Sequence, residues 1–195
     1  MALVDRVKNI LLTPKTEWEV IDAEPTTVAD LYKGYIIPLA AIGPVAQAIG
    51  FSVFGMRVPF LGTYRTPVVT AVTQAVVTFV LTLVMVYVLS LIIDKLAPTF
   101  AGTSNSIQAL KVAAYSYTAS WVVGIFMLVP ALSFLAILGV YSLYLLYLGL
   151  PVLMKSPAEK ALSYTAVVII AAIVLFMIIG VVAGMFVAGP GMYAR

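Results

Sequence analysis

Side chains that could act as acids, bases, nucleophiles or metal ligands are few in this sequence. The eight aspartates and glutamates lie within residues 5–30, at Asp94 and at Glu159, outside the long apolar stretches. The chain contains no cysteine and no histidine, which excludes thiolate metal sites, cysteine nucleophiles and histidine general bases. The motifs of zinc proteases, P-loop proteins and serine hydrolases are also absent from the sequence. We therefore predict a protein that is not an enzyme and that binds no metal and no cofactor.

Uncharged polar side chains, by contrast, lie inside the apolar stretches. Thr70, Gln74, Thr78 and Thr82 repeat every four residues and therefore share one face of a helix. Such a face is typical of hydrogen bonding between membrane helices, and the alternative is that it lines a polar cavity. On that alternative, the candidate cavity residues are Gln47, Gln74, Thr78, Ser116 and Tyr144.

The composition of the chain is that of a membrane protein. Of its 195 residues, 63% are hydrophobic and 10% are charged, and a helix needs about 20 apolar residues to cross a bilayer. The net charge of +3 is typical of membrane helix ends, so no nucleic-acid partner is predicted. We predict an all-α polytopic membrane protein, with a cytoplasmic amphipathic segment at residues 1–27 and a membrane domain at residues 28–195. The five predicted transmembrane helices are residues 35–54, 68–93, 112–129, 132–150 and 164–187.

The positions of lysine and arginine predict how these spans are oriented. Eight of the eleven basic residues fall on one side, in the N-terminal segment and in the loops that contain residues 95–111 and 155–160. Because cytoplasmic loops are enriched in positive charge, we expect a cytoplasmic N-terminus and a periplasmic or extracellular C-terminus. Only the region of Pro130 separates spans three and four. We predict a tight turn there, since one helix across both spans would be about 58 Å long.

Two short helices are predicted before the first span. Apolar residues recur at helical spacing in residues 3–11, which indicates an amphipathic helix that lies either in the membrane interface or on the loops of its own bundle. A second helix is predicted at residues 14–22, and Trp18 on it is predicted to be an interfacial anchor. Helix N-caps are predicted at Thr13, at Thr27 with Asp30, and at Ser156 with Glu159.

Four stretches of the sequence resemble the Yip1-domain family, specifically its short bacterial inner-membrane branch. They read TPKTEWEVIDAEP before the first span, DLYKGYIIPLA at its start, AAYSYTASWVVG in the third span and LYLLYLGLPVLMKSPAEKALSYT between the fourth and fifth spans. The resemblance extends over nearly the whole chain. It implies five spans with a cytoplasmic N-terminus in a bacterial inner (cytoplasmic) membrane, and it does not imply an enzyme.

These observations predict a scaffold or adaptor in membrane organisation that acts by contact with partners. The expected partners are membrane lipids, other membrane proteins and a second copy of the chain, for which the pair Gly180 and Gly184 is a weak signal. The polar turn at residues 150–161 is a candidate docking surface for the N-terminal segment or for a partner. The alternative function is a small-solute channel, transporter or lipid-handling protein with a polar path between spans one, two, three and four. The candidate interaction residues are Trp18, Glu24, Asp30, Tyr32, Asp94, Lys155 and Lys160.

Overall fold

The computed structural model describes residues 2–58 and 62–187, which form helices and one short β-hairpin. The helices are α1 (Leu3–Leu12), α2 (Pro14–Ala23), α3 (Val28–Phe54), α4 (Val68–Leu96), α5 (Ser106–Ser116), α6 (Thr118–Val123), α7 (Tyr141–Met154) and α8 (Ala158–Val187). Segments of 3₁₀-helix lie at Ala97–Phe100, Gly124–Leu128 and Pro130–Val140. The strands β1 (Met56–Val58) and β2 (Gly62–Tyr64) pair antiparallel between α3 and α4. The predicted helical fold class is confirmed, with this hairpin as an addition that the sequence pattern did not indicate.

Within the described residues, four helical segments are long and apolar enough to cross a membrane. They are Val28–Phe54, Val68–Phe100, Pro130–Met154 and Ala158–Val182. The predicted spans at 35–54, 68–93, 132–150 and 164–187 lie in or largely overlap these four segments. The remaining predicted span, span three at residues 112–129, is helical but is interrupted at Tyr117 and is polar in its middle. It is not among the four, and its crossing of the membrane stays a prediction.

The predicted turn near Pro130 is present. The backbone of Val129 is extended, with φ −116° and ψ 102°, and the chain reverses so that α6 packs against the 3₁₀ segment Pro130–Val140. Ser120 Oγ lies 2.8 Å from Ser142 Oγ, although the two residues are 22 positions apart in the chain. The two segments on either side of Val129 therefore run side by side.

Helix α3 is irregular, as its two prolines predict. A π-helical segment at Tyr32–Ile36 precedes Pro38, and the helix is interrupted again at Ala41. Proline has no N–H, and its ring collides with the carbonyl four residues earlier, so the turn before it cannot keep α-helical hydrogen bonds. Farther along, α3 touches the segment Gly124–Leu128 at the level of the backbone. A methyl group at Gly50 would lie 2.2 Å from the carbonyl oxygen of Met127, so only glycine fits there.

The N-terminal helices α1 and α2 share one hydrophobic core with the rest of the bundle. Ile10, Trp18 and Ile21 are fully buried and belong to the same cluster as Leu145 on α7 and Val168 on α8. Of the two predicted positions for α1, the structure shows the one in which it packs on its own bundle. We call α1 and α2 together the N-terminal hairpin.

One of the three predicted helix caps is confirmed. The backbone N–H of Asp30 donates to Thr27 Oγ1 at 3.1 Å, and Thr27 Oγ1 donates to the Asp30 carboxylate at 2.6 Å. Thr13 precedes α2 without capping it, because its hydroxyl donates to Asn9 O instead. The prediction for Ser156 is wrong, since Ser156 Oγ is buried and makes no hydrogen bond with any described residue. Lys155 adopts a left-handed conformation with φ 54°, and the following serine packs close to Gly102 instead of facing the first turn of α8.

Candidate functional site

Three segments far apart in the sequence meet at one end of the bundle, which we call the charged end. Lys155 Nζ lies 2.5 Å from the carboxylate of Asp22 on the N-terminal hairpin, and Gln108 Nε2 donates to the same residue at 3.0 Å. The backbone N–H of Thr103 donates to Met154 O at 2.7 Å. The N-terminal segment, the loop before α5 and the loop before α8 therefore lie together, as their basic residues predict. Through Lys155, the turn at residues 150–161 contacts the N-terminal hairpin.

A buried ion network lies under this end, centred on Arg6. The guanidinium of Arg6 is hydrogen-bonded to the carboxylates of both Glu17 and Glu24, and it lies over the ring of Tyr115, 5.7 Å from the centroid. Arg6 and Glu17 are both buried, whereas the side chain of Glu24 is partly exposed. The pair from Arg6 to Glu17 is thus shielded from water, and it joins α1 to α2 while Tyr115 provides the contact with α5.

Lys111 on α5 binds the end of α2. Its ammonium group is buried and donates to the carbonyl oxygens of Ile21 at 2.8 Å and Glu24 at 2.6 Å. Carbonyls in the last turn of a helix have no partner within the helix and carry partial negative charge, so a cation is favourable there. Burial lowers the pKa of Lys111, and Asp22 and Glu24 act in the opposite direction. Lys111 therefore fixes the position of α2 on the bundle.

Trp18 lies in the core, and its predicted role as an interfacial anchor is wrong. The indole is fully buried against Gly149 of α7, where a methyl group would lie 2.6 Å from Trp18 Cζ2. Its ring is perpendicular to that of Tyr115 at a centroid distance of 6.2 Å. Tyr115 in turn packs on Tyr35, with 4.5 Å between ring centroids. The missing side chain at Gly149 leaves the gap that accepts the indole.

The other candidate interaction residues have separate roles. Asp30 caps α3, as described above, and lies at the rim of the network. The hydroxyl of Tyr32 donates to Leu83 O at 2.9 Å, which ties α3 to α4. Asp94 accepts a hydrogen bond from Ser104 Oγ at 2.7 Å. Lys160 is exposed on the first turn of α8. The structure thus brings Glu24 and Asp30 to one pocket beside the network and leaves Tyr32, Asp94 and Lys160 outside it.

A pocket of about 160 Å³ opens beside the network. Its lining includes two basic residues and two acidic residues, namely Arg6, Lys111, Glu24 and Asp30. Within residues 2–58 and 62–187 there is no group of three or more His, Cys, Asp or Glu side chains that could hold a metal ion. The charged groups here are engaged with one another, with backbone carbonyls or with a helix cap. This arrangement can fix one structural element on another, and it offers no nucleophile paired with a base.

Sequence reasoning missed Arg6, Glu17 and Lys111. A signal for Arg6 was available, because Leu3, Arg6 and Ile10 follow each other at helical spacing and so place Arg6 on the apolar face of α1. Lys111 likewise lies directly between Leu110 and Val112, inside an apolar run. From the sequence alone, Lys111 contributes only to the count of basic residues that predicts the membrane orientation.

The candidate cavity residues are not brought together. Gln47 and Gln74 line a common space of only about 10 Å³, which is at the lower limit for a single water molecule. Ser116 lines a different pocket. Tyr144 is 41% exposed on α7, and the backbone carbonyl of Thr78 accepts the hydroxyl of Thr82 at 2.8 Å. In the described part of the chain, these five residues do not line a common path.

Comparison with known proteins gives one result. The family model of the Yip1 domain matches residues 8–188. No curated protein and no solved structure matches the chain. The matched range includes the second half of α1, all of α2 and all four long apolar segments. It also includes the residues of the buried network except Arg6. The chain is therefore an integral, multi-pass membrane protein that belongs to the Yip1 domain family.

Proposed function

We propose that this protein is a non-catalytic scaffold or adaptor in a bacterial inner membrane, and that it acts by contact with other membrane proteins. The observation that carries the proposal is the buried network that holds the N-terminal hairpin on the bundle. Removing charged groups from water is costly, and apolar side chains of similar size would often stabilise the hairpin as well or better. A charged network instead selects one orientation of the hairpin. A fixed orientation is what a surface needs if it is to recognise a partner.

The outer face of the N-terminal hairpin is the surface that this orientation presents. Val4, Leu12 and Val20 are exposed on it, and Lys8 and Lys15 lie between them. Apolar side chains that alternate with charges at the membrane surface can contact a protein partner without driving aggregation. The proposed recognition surface therefore differs from the residues that the sequence singled out.

The proposal includes five spans, with the N-terminus in the cytoplasm and the C-terminus outside. Its support is the path of residues 106–128. This segment begins near Asp22 at the charged end, where Gln108 is bonded. The turn at Val129 and Pro130 lines a pocket of about 710 Å³ together with Phe54, the last residue of α3, and Arg65, which lies just before α4. This connection between α3 and α4 is at the end of the bundle away from the charged end. A path from one end of the bundle to the other supports a fifth crossing beside the four long apolar segments. Self-association through Gly180 and Gly184 stays a prediction.

Site-specific photocrosslinking in native membranes tests the scaffold role. We expect a photoreactive residue at Val20, which is 46% exposed on α2, to give discrete adducts with other proteins. The same residue at Val174, which is 45% exposed in the apolar middle of α8, is the matched control and should give none of these bands. The Arg6→Ala variant should lose the Val20 adducts, because it releases the hairpin. Equal adducts from Val20 and Val174, or adducts that persist in Arg6→Ala, would contradict the proposal.

The transport alternative predicts a different result. If a polar path passed Gln74, a Gln74→Leu variant reconstituted in liposomes would conduct small solutes more slowly than the wild type. We expect the two proteins to show the same flux, at the level of empty liposomes, because the space between Gln47 and Gln74 is about 10 Å³. A wild-type flux above this background that Gln74→Leu abolishes would favour a channel or transporter over the scaffold.

A further inference from the structure

The pocket that Ser116 lines lies among the helices, away from the charged network. Its volume is about 280 Å³, close to the lower end of the range for small-molecule sites, roughly 300 Å³. The wall is formed mainly by apolar side chains from four parts of the chain. They include Leu89, Ala113, Val140, Leu143, Leu146 and Ile169.

The mouth of this pocket lies on the apolar outside of the bundle. Leu89, Leu146 and Ile169 belong to three different segments that are long and apolar enough to cross a membrane. Val140 and Leu143, two further lining residues, are 54% and 42% exposed on the outside of the bundle. A molecule that enters between them comes from the bilayer and not from either aqueous side.

Ser116 provides the polar feature of the pocket. It is 3% exposed, and its Oγ makes no hydrogen bond with any described residue. The two neighbouring serines of the pocket are already engaged, since Ser120 and Ser142 bond each other at 2.8 Å and Ser120 Oγ also donates to Gly139 O at 3.2 Å. A buried hydroxyl without a partner is unfavourable. The Ser116 O–H is therefore available to an acceptor on a bound molecule.

The depth of Ser116 indicates what that acceptor is. Ser116 follows Lys111 at the charged end by five residues, which is about 7.5 Å along a helix. The polar layer on each side of the hydrocarbon core is about 5–8 Å thick. With the charged end placed in the headgroup layer, the hydroxyl lies on the side of the pocket nearer the headgroups, which is the side on which a phospholipid carries its ester carbonyl groups. An ester carbonyl oxygen accepts hydrogen bonds and donates none, so it complements a serine hydroxyl.

We propose that this pocket binds one acyl chain of a diacyl phospholipid from the leaflet at the charged end, and that the ester carbonyl of that chain accepts a hydrogen bond from Ser116. The apolar walls hold the first methylene groups of the chain. The residues that line the pocket include no charged side chain. The site therefore recognises the ester carbonyl and the acyl chain, and it does not discriminate between headgroups. The inference is independent of the scaffold role, because it concerns a different surface of the bundle.

Native mass spectrometry of the full chain in a mild detergent tests this site. The probes are dioleoyl phosphatidylglycerol and its dialkyl ether analogue, which has the same chains and headgroup but no ester carbonyl. We expect the wild-type protein to bind the ester lipid about three- to tenfold more tightly than the ether lipid, the usual effect of one hydrogen bond. In a Ser116→Ala variant the two lipids should bind equally, at the level of the ether lipid.

The comparison of the two lipids on the wild-type protein does not depend on any variant being folded. A Ser163→Ala variant, which changes an exposed serine that bonds only to its own helix, is the matched control and should keep the preference for the ester. An Ala113→Phe variant should lose the bound lipid of either kind, because the new ring fills the pocket. Equal binding of the ester and ether lipids by the wild-type protein would overturn the proposal, as would full lipid binding by a folded Ala113→Phe variant.

Discussion

An Arg6→Ala variant is expected to release the N-terminal hairpin from the bundle, at a cost of about 3–5 kcal/mol in docking free energy. The cost arises because the carboxyl group of Glu17 stays buried while its partner is gone. Glu24 contributes less, since its side chain is partly exposed and can be hydrated. Limited proteolysis in detergent provides the measurement. Cleavage between residues 3 and 24 should accelerate by two orders of magnitude or more, because its rate is proportional to the fraction of molecules in which the hairpin is released.

The double variant Arg6→Met, Glu17→Met removes both charges of the pair. It therefore separates the effect of losing the ion pair from the effect of leaving one buried group without its partner. We expect it to recover most of the protection, because neither remaining side chain has a charge to hydrate. A Lys15→Ala variant, at an exposed position of the same hairpin, should match the wild type. If Arg6→Ala were as resistant to protease as Lys15→Ala, the network would have no role in holding the hairpin.

A Gly149→Ala variant is expected to destabilise the protein by about 1–3 kcal/mol. On its own, a change from glycine to alanine inside a helix stabilises by about 1 kcal/mol. Here the new methyl group would lie 2.6 Å from Cζ2 and 2.8 Å from Cε2 of Trp18, and a buried, rigid indole cannot move aside. Helix α2 must therefore shift away from α7. Thermal unfolding in detergent, followed by tryptophan fluorescence, measures the effect.

Two further variants isolate this contact. Gly34→Ala adds the same methyl group where no atom outside its own helix lies within 4 Å, so its melting temperature should not fall. In a Trp18→Leu background, Gly149→Ala should cost much less than in the wild type, because the ring that causes the clash is absent. Equal costs of Gly149→Ala in the two backgrounds would show that the indole and Gly149 are not coupled.

The sequence was a reliable guide to features that local composition determines. Four of the predicted spans, the turn near Pro130 and the irregular first span follow from runs of apolar residues and from proline geometry, and the structure contains them. The cap at Thr27 also depends on neighbours within three residues. Each of these features would be much the same in any surrounding fold.

The candidate site depends instead on contacts between distant residues. Arg6 meets a carboxylate 11 residues later across a turn, and Lys111 meets carbonyls about 90 residues earlier. Trp18 packs against Gly149, about 130 residues later, where a side chain would collide with the indole. Ser156 likewise packs close to Gly102, more than 50 residues earlier in the chain, a contact that its own neighbours do not indicate. A single sequence contains these residues but not their pairing.

The distance in sequence between the hairpin and the segments that hold it has a consequence for biosynthesis. Arg6 and Trp18 leave the ribosome first, yet Lys111, Gly149 and Lys155 emerge long after them. The hairpin therefore stays undocked until the later helices have been inserted, and its closure marks a completed bundle. In the finished protein the charge of Arg6 is paired and buried, so the hairpin is shielded from water only after the whole bundle has been assembled.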